Sequence, residues 1–434
     1  IGASSAIFAP IKNVGIIIID EEHDNSYLSD SNPRYSAIEV AQMRSKANNC
    51  PLLLGSATPN FESYHKTQTG EYKLLELPQR VNKKEMPEIE IVDMKEQFQL
   101  GHTPFSLPLI EKLHEVVDNK KQAILFINRR GFSTFLMCLK CGHIPKCDAC
   151  DFSLVYHKEY DELKCHYCGK RYKTINTCEV CGYKEFKSGN AGTQQICESL
   201  RQKFPNVPIF RFDNDSTSNK DAHAKILSQF GKAKPSILVG TQMVAKGHDF
   251  PEVSLVGIMD ADLSLFFNDF RASEKTFQLI TQVSGRAGRS EVEGHVILQT
   301  YFPKHYVYML ASKYDYKRFY DKEINLRQTT LFPPFSKILR LLIASVDDAK
   351  AKEVTHQCFL KLKDLRVNNL KDFYFLEAMK SPITKIKNKF RYQIVIKFSK
   401  EKEKAITDKI FNIISELPKK NVQIFIETNP QNMS

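Results

Sequence analysis

The feature that most constrains this chain is a run of four Cys-x-x-Cys pairs: Cys138/Cys141, Cys147/Cys150, Cys165/Cys168 and Cys178/Cys181. Two intervening residues make a tight turn that aims both sulfurs at one point, and a tetrahedral zinc ion takes four thiolates. Eight such ligands suit two closed, structural zinc sites with no open position for catalysis. An iron–sulfur cluster would use four of them and leave four over. The spacing admits two pairings. A nested one puts Cys138, Cys141, Cys178 and Cys181 on one ion and Cys147, Cys150, Cys165 and Cys168 on the other; a sequential one takes the pairs in chain order. The eleven cysteines thus read as metal ligands plus three core residues, Cys50, Cys197 and Cys358. Such use of cysteine belongs to a reducing compartment, and the expected location is cytoplasmic.

The array interrupts an otherwise regular alternation of apolar strands and helical stretches, the pattern of an α/β chain built on parallel sheets. Before it come a buried-strand run at Gly15–Asp20, helical spacing over Ala37–Asn49 and a short apolar run at Leu52–Leu54. A second series starts at Ala123–Ile127, stops at Cys138 and resumes near Gly192. Its predicted strands are Val207–Phe212, Ser236–Gly240, Leu255–Met259 and His295–Gln299. Residues 138–184 show almost no apolar periodicity and read as an insertion that folds around metal rather than a core. Pro104 and Pro108 suggest a linker. After Pro333-Pro334 the order becomes βαββαβ, a ferredoxin-like split unit. The expected domains are therefore 1–103, 104–335 with the insertion 138–184, and 336–434. Residue 1 is Ile, and Ile16–Ile19 follow closely, so the chain is expected to open inside a domain.

The balance of 62 Lys and Arg against 50 Asp and Glu gives +12. Excess basic charge favours a polyanionic partner, because it displaces counterions condensed on phosphates. No apolar run of about 18 residues exists, so no membrane-spanning helix is expected.

Four short motifs carry the chemistry. The strand at Ile16–Ile19 runs into Asp20-Glu21-Glu22-His23, and an acidic strand tip of this kind can hold Mg²⁺ with the Asp and orient water with the Glu. Gly55-Ser56-Ala57-Thr58-Pro59 ends a second strand, where small hydroxyl residues can couple one lobe to another. Gly240-Thr241-Gln242-Met243-Val244-Ala245-Lys246-Gly247-His248-Asp249-Phe250 ends a third. Gln282-Val283-Ser284-Gly285-Arg286-Ala287-Gly288-Arg289 carries two arginines, whose planar guanidinium groups suit a γ-phosphate.

In this order the motifs resemble motifs II, III, V and VI of superfamily 2 helicases. The cysteine array, the segment Asn128-Arg129-Arg130-Gly131-Phe132-Ser133 before it and Asp269-Phe270-Arg271-Ala272 ahead of motif VI resemble the family of bacterial primosomal protein N′. The resemblance covers nearly the whole chain. It implies two RecA-like helicase lobes, the first incomplete, a two-zinc insertion in the second, and a C-terminal α+β domain that contacts DNA. It implies an ATP-dependent 3′→5′ DNA helicase that recognises stalled or D-loop-type forks and initiates primosome assembly. Asp20, Glu21, Arg286 and Arg289 are the implied catalytic residues, with Gly247 and Asp249 also at the nucleotide. His23, Ser56, Thr58 and Gln282 are the implied coupling residues.

Tyr27, Arg34 and Tyr35 resemble the aromatic-rich loop that joins DNA binding to hydrolysis in such motors, and Arg129 and Thr241 are further DNA candidates. The basic stretch with Lys385, Lys387, Lys389, Arg391 and Lys397, interleaved with Phe390 and Tyr392, suits a phosphate-tracking face. Expected cofactors are two structural Zn²⁺, and ATP with Mg²⁺ in the intact protein. Expected partners are forked and single-stranded DNA, single-strand-binding protein and other primosome proteins, with a monomeric chain, no membrane and a nucleoid location in bacteria. Gly-x-x-x-x-Gly-Lys-[Ser/Thr] does not occur in the chain, and Gly2–Pro10 looks like the motif Ib region that would follow it. Two other readings are a RecG- or UvrB-like repair translocase and a zinc-ribbon binding module on an inactive motor.

Overall fold

The computed structural model describes residues 1–29, 35–78, 85–128, 135–149, 153–157, 161–165, 169–188, 193–213, 220–241, 250–267, 269–288, 293–418 and 420–430. The chain forms two compact units, 1–78 and 79–434. In the first, the apolar runs Ile17–Ile19 and Leu52–Leu54 pair in parallel. The crossover between them contains the helix Ala37–Asn48, started by the Ser36 hydroxyl on the Glu39 N–H at 3.3 Å and ended by Asn49 at φ +48°. Parallel sheets bury both faces as a rule. Here Ile18 and Leu53 remain 61% and 40% exposed, so one face of this small sheet is uncovered.

The second unit is built on six parallel strands in the order Ile209–Phe212, Ser236–Gly240, Gln122–Ile127, Val253–Met259, His295–Thr300 and Glu88–Asp93. Gln122–Ile127 lies inside the sheet and is buried throughout, as its continuous apolar run requires. Leu109 and Leu113, from the helix Leu107–Asp118, pack with Leu125 and Leu255 in the main core. Gly257 permits that approach: a Cβ there would lie 2.6 Å from Leu125 Cδ2 and 3.0 Å from Leu109 Cδ1.

Two expectations need correction. The boundary expected at residue 103 falls near residue 78, because Glu88–Asp93 pairs in register with His295–Thr300 as an edge strand of the second sheet. Pro104 and Pro108 do not flank a linker either. Pro108 sits in the first turn of Leu107–Asp118, where its missing N–H costs nothing, and Ser106 caps that helix while its own N–H donates to Gln299 at 2.8 Å.

The insertion starts and ends on the strand pair Leu136–Cys138 and Phe186–Ser188. Between them the strands Val155–His157, Glu162–Lys164 and Arg171–Lys173 form a small antiparallel sheet. The insertion has a core of its own, contrary to expectation: Leu136, Leu154 and Leu163 are buried with Cys147 and Cys165. Met137 and Ile144 join Met94 and Tyr301 in a second cluster that seats the insertion on the lobe.

The last hundred residues form the expected βαββαβ unit. Its antiparallel sheet runs Phe373–Ile386, Lys389–Ser399, Ser336–Ser345, Val422–Thr428. Helices Asp348–Val367 and Glu403–Ser415 cover one face with Val354, Cys358, Leu362, Ile406 and Ile410. The other face is buried too, at Ile338, Leu342, Gln393 and Val395.

Candidate functional site

Asp20 and Glu21 lie at the carboxyl end of Ile17–Ile19. The Asp20 carboxylate accepts the Glu21 N–H at 3.0 Å, and Glu21 takes φ +48°, which turns the chain sharply off the strand. Backbone bonds from Gly55 N–H to the Ile19 carbonyl and from Glu22 N–H to the Gly55 carbonyl lock this turn to the end of Leu52–Leu54. The exposed Asp20 carboxylate and half-exposed Glu21 supply hard oxygen donors of the kind Mg²⁺ takes. His23 faces the second motif: its Nδ1 is 2.7 Å from Ser56 Oγ and 3.5 Å from Glu21 Oε2. The same Ser56 oxygen accepts the Thr58 N–H at 3.0 Å. Three of the predicted coupling residues therefore form one connected group.

Glu22, the buried member of the acidic run, is a further functional residue beyond those expected from sequence. Its carboxylate accepts the Asn60 N–H at 2.5 Å and the Ser63 hydroxyl at 3.0 Å. It thus anchors the start of helix Phe61–Gln68, with the dipole at that helix end favouring its charge. A Glu three residues past a strand end and an Asn-x-x-Ser after the next strand carry this signal only jointly.

In the second unit, Thr241 follows the strand Ser236–Gly240, is buried, and bonds through its N–H to the Phe212 carbonyl. Helix Ala272–Ser284 carries half-buried Gln282 and leads to buried Arg286. The Gly288 N–H donates to the Val253 carbonyl, and the Val253 N–H to Phe250. The end of GTQMVAKGHDF and the body of QVSGRAGR thus meet at the amino end of one strand. Arg34, Arg129, Gly247, Asp249, Arg289, Cys150 and Cys168 lie outside the described residues.

The outer cysteines come together. The Sγ atoms of Cys138, Cys141, Cys178 and Cys181 all lie within 4.8 Å of one another, with Cys138–Cys181 and Cys141–Cys178 each at 3.6 Å. Tetrahedral zinc holds its thiolate sulfurs roughly 3.8 Å apart, so the set fits that ion. Each turn is built alike: the Cys138 N–H donates to His143 and the Gly142 N–H to Cys138, and Cys178 repeats this with Tyr183 and Gly182. Cys165 has the same two bonds, to Lys170 and from Gly169. Glycines 142, 169 and 182 all take positive φ, between +71° and +78°, which explains the Gly after three of the four pairs. The Tyr183 backbone N–H holds the Cys181 thiol down at about 7, whereas burial pushes Cys141 up to about 12. A dication would offset that burial cost at Cys138 and Cys141.

The DNA candidates divide. The Tyr27 hydroxyl donates to the Asp20 carbonyl at 2.7 Å, and Tyr35 packs edge-on against Phe8 at 4.8 Å. Lys387 and Asn388, both at positive φ, make the two-residue turn of the hairpin between Phe373–Ile386 and Lys389–Ser399. Lys385 lies over Phe390 at 4.8 Å, Lys389 bonds Gln423 at 2.9 Å, and Arg391 is half-buried on the same strand. Lys397 does not belong to an exposed basic face. It is 8% exposed, and burial lowers its ammonium to about 8.

Comparison with known proteins bears on the whole of this arrangement. Three family models match: "PriA DNA helicase Cys-rich region (CRR) domain" over residues 147–173, "Helicase conserved C-terminal domain" over 166–291, and "Primosomal protein N C-terminal domain" over 328–431. The replication restart protein PriA of Bacillus subtilis is 46% identical over 436 aligned positions, which take in 100% of this chain and 54% of the relative. The chain belongs to the PriA family. The PriA protein of Haemophilus influenzae is 34% identical across 100% of this chain and 59% of its own, and that of Synechocystis is 38% identical across 92% and 49%. The chain thus spans about half the length of these relatives. Among solved structures, S. cerevisiae Dbp5 bound to RNA and ADP BeF3 overlaps 73% of this chain and 64% of its own, at 14% identity and a TM-score of 0.35. Among the described residues no helix is long and apolar enough to cross a membrane.

Proposed function

We propose that this chain is the motor and C-terminal part of an ATP-dependent 3′→5′ DNA helicase for replication restart. In this reading the protein recognises stalled or D-loop-type forks, unwinds them, and initiates primosome assembly with single-strand-binding protein and other primosome proteins. The observation that carries it is the connected group Asp20–Glu21–His23–Ser56, set in a chain that matches replication restart proteins from end to end. Asp20 would hold Mg²⁺ and Glu21 would orient the attacking water, while Arg286 and Arg289 would supply positive charge for the γ-phosphate. ATP with Mg²⁺ supplies the phosphoryl-transfer chemistry when bound. His23 and Ser56 report the state of the acidic tip to the segment that follows Gly55.

Two zinc ions, on Cys138/Cys141/Cys178/Cys181 and Cys147/Cys150/Cys165/Cys168, hold the insertion. Their ligand sets are full, so the insertion serves unwinding or partner docking rather than hydrolysis. The hairpin with Lys385, Lys389 and Arg391 contacts DNA, as do Tyr27, Arg34, Tyr35, Arg129 and Thr241. The protein works as a monomer in the bacterial cytoplasm, at the nucleoid. The match to a PriA-specific cysteine region disfavours a RecG- or UvrB-like translocase. The test uses full-length protein on forked DNA with either polarity of single-stranded arm. Unwinding from the 3′ arm, lost together with ATP hydrolysis in Asp20→Asn while DNA binding persists, is the expected result. Near-normal hydrolysis by that variant would contradict the assignment.

A further inference from the structure

The segment Asp269–Ala272 lies at the start of the motif VI helix, and no role assigned above uses it. Phe270 and Arg271 reach toward the C-terminal domain. The Phe270 ring stacks on Phe332 at 4.7 Å and 11°. Arg271 covers Phe270 at 4.1 Å and donates through Nη1 to the Pro430 carbonyl, beyond the last strand of that domain, at 3.0 Å. From the domain's own sheet, Lys397 lies over Phe332 at 4.3 Å and donates to the Thr330 carbonyl at 2.8 Å. In the first turn of the motif VI helix, buried Glu274 accepts from Arg327 at 2.6 Å, and that guanidinium lies 5.2 Å from the Phe270 ring. Phe270, Phe332 and three cations thus form one stack between the helix that leads to Arg286 and the C-terminal sheet.

A ferredoxin-like sheet covered by helices on one side would expose its other side if it hung on a linker. Here that side is buried, and Lys397 sits in it despite a burial that depresses its ammonium. Planar stacking and a bonded guanidinium also fix orientation as well as distance, unlike a purely apolar contact.

We propose that Phe270, Arg271, Phe332 and Lys397 are positioning residues that make the motif VI helix and the C-terminal domain one rigid body. Any movement of Arg286 during a nucleotide cycle is then carried to the DNA-contacting hairpin without loss. This rests on the helicase reading above.

Spin labels on genetically encoded side chains at Glu198 and Lys363, both exposed, measure the lobe-to-domain distance in the full-length protein and spare the cysteines. One narrow distance distribution, unchanged by forked DNA or a non-hydrolysable nucleotide, is expected. Arg271→Ala with Phe332→Ala should broaden it and reduce the stimulation of ATP hydrolysis by DNA about fivefold or more, the low end of inter-site couplings. DNA-free hydrolysis and zinc content should stay at the unmodified level. A broad or nucleotide-dependent distribution in the unmodified protein overturns the proposal. So does a variant that keeps the narrow distribution, or one that broadens and keeps full stimulation. If the double variant fails to fold, Arg271→Lys and Lys397→Met are measured in the same way. Should the unmodified protein hydrolyse no ATP, the helicase reading fails while the distance measurement still decides the joint.

Discussion

His23 Nδ1 and Ser56 Oγ are 2.7 Å apart, although 33 residues separate them in the chain. The hydroxyl oxygen also receives the Thr58 N–H, so it links the acidic tip to the turn after Gly55. Ser56→Ala should therefore cost stability of about 1 kcal/mol, the net worth of a hydrogen bond. Hydrolysis without DNA should persist, while its stimulation by DNA falls about tenfold, within the usual range of coupling. Steady-state ATPase assays of the full-length protein with and without single-stranded DNA check this; equal stimulation in both proteins would remove Ser56 from the coupling route.

The nested arrangement of the cysteines has a counting test. Cys138 and Cys181 share one sulfur cluster. Cys138→Ser and Cys181→Ser should each release one zinc ion, and the double variant should release the same one. Sequential pairing would place the two residues on different ions, so the double variant would lose both. Metal analysis of the purified, folded proteins distinguishes one ion remaining from none.

Asp262 is fully buried and accepts bonds from the Tyr301 N–H and the Tyr308 hydroxyl, each at 2.8 Å, and from Thr300. Burial outweighs these bonds and raises the carboxyl to about 6. The folded chain therefore keeps a proton there, between pH ~4 and 6, that the unfolded chain has released. This group's contribution to stability is full at pH ~4 or below, declines up to pH ~6 and is flat above that. Asp262→Asn removes that dependence. The urea midpoint of the wild type relative to the variant should fall between pH ~4 and 6 and stay level from pH ~7 to 8. A constant difference over the whole interval would count against a protonated Asp262 in the acid range.

Much of this fold could be read from short-range pattern. Gln122–Ile127 and Ser236–Gly240 are continuous apolar runs, and central strands of parallel sheets have no other composition available to them. The βαββαβ order was legible because each C-terminal element is long enough to show its period. Glu88–Asp93 was not placed correctly, although its Glu-Ile-Glu-Ile alternation is that of a half-exposed strand. Nothing local says which sheet such an edge strand joins. Lys397 is hidden from sequence for the same reason: its alternation with aromatic residues is that of a charged edge, whereas the Phe332 ring and the Thr330 carbonyl, sixty-odd residues upstream, hold it in the interior. At the site, the cysteine pairs and the motif order announced themselves, whereas Glu22 looked like one more acid in an acidic run. Its partners Asn60 and Ser63 belong to another element, so its role existed only after folding.

Gly142 closes a zinc-binding turn directly against Tyr301, where a Cβ would lie 2.7 Å from the Tyr301 Cβ, just past the end of His295–Thr300. The metal turn and the parallel sheet therefore share a contact with no slack in it. Free energy released when thiolates take up a cation is free energy of folding for whatever they are fastened to. Ambient zinc activity thus becomes a thermodynamic variable of the sheet itself, acting by mass action as any ligand of the native state does. A cell starved of zinc would carry a helicase lobe with a lower melting temperature, before any effect on the ribbon's own partners came into play.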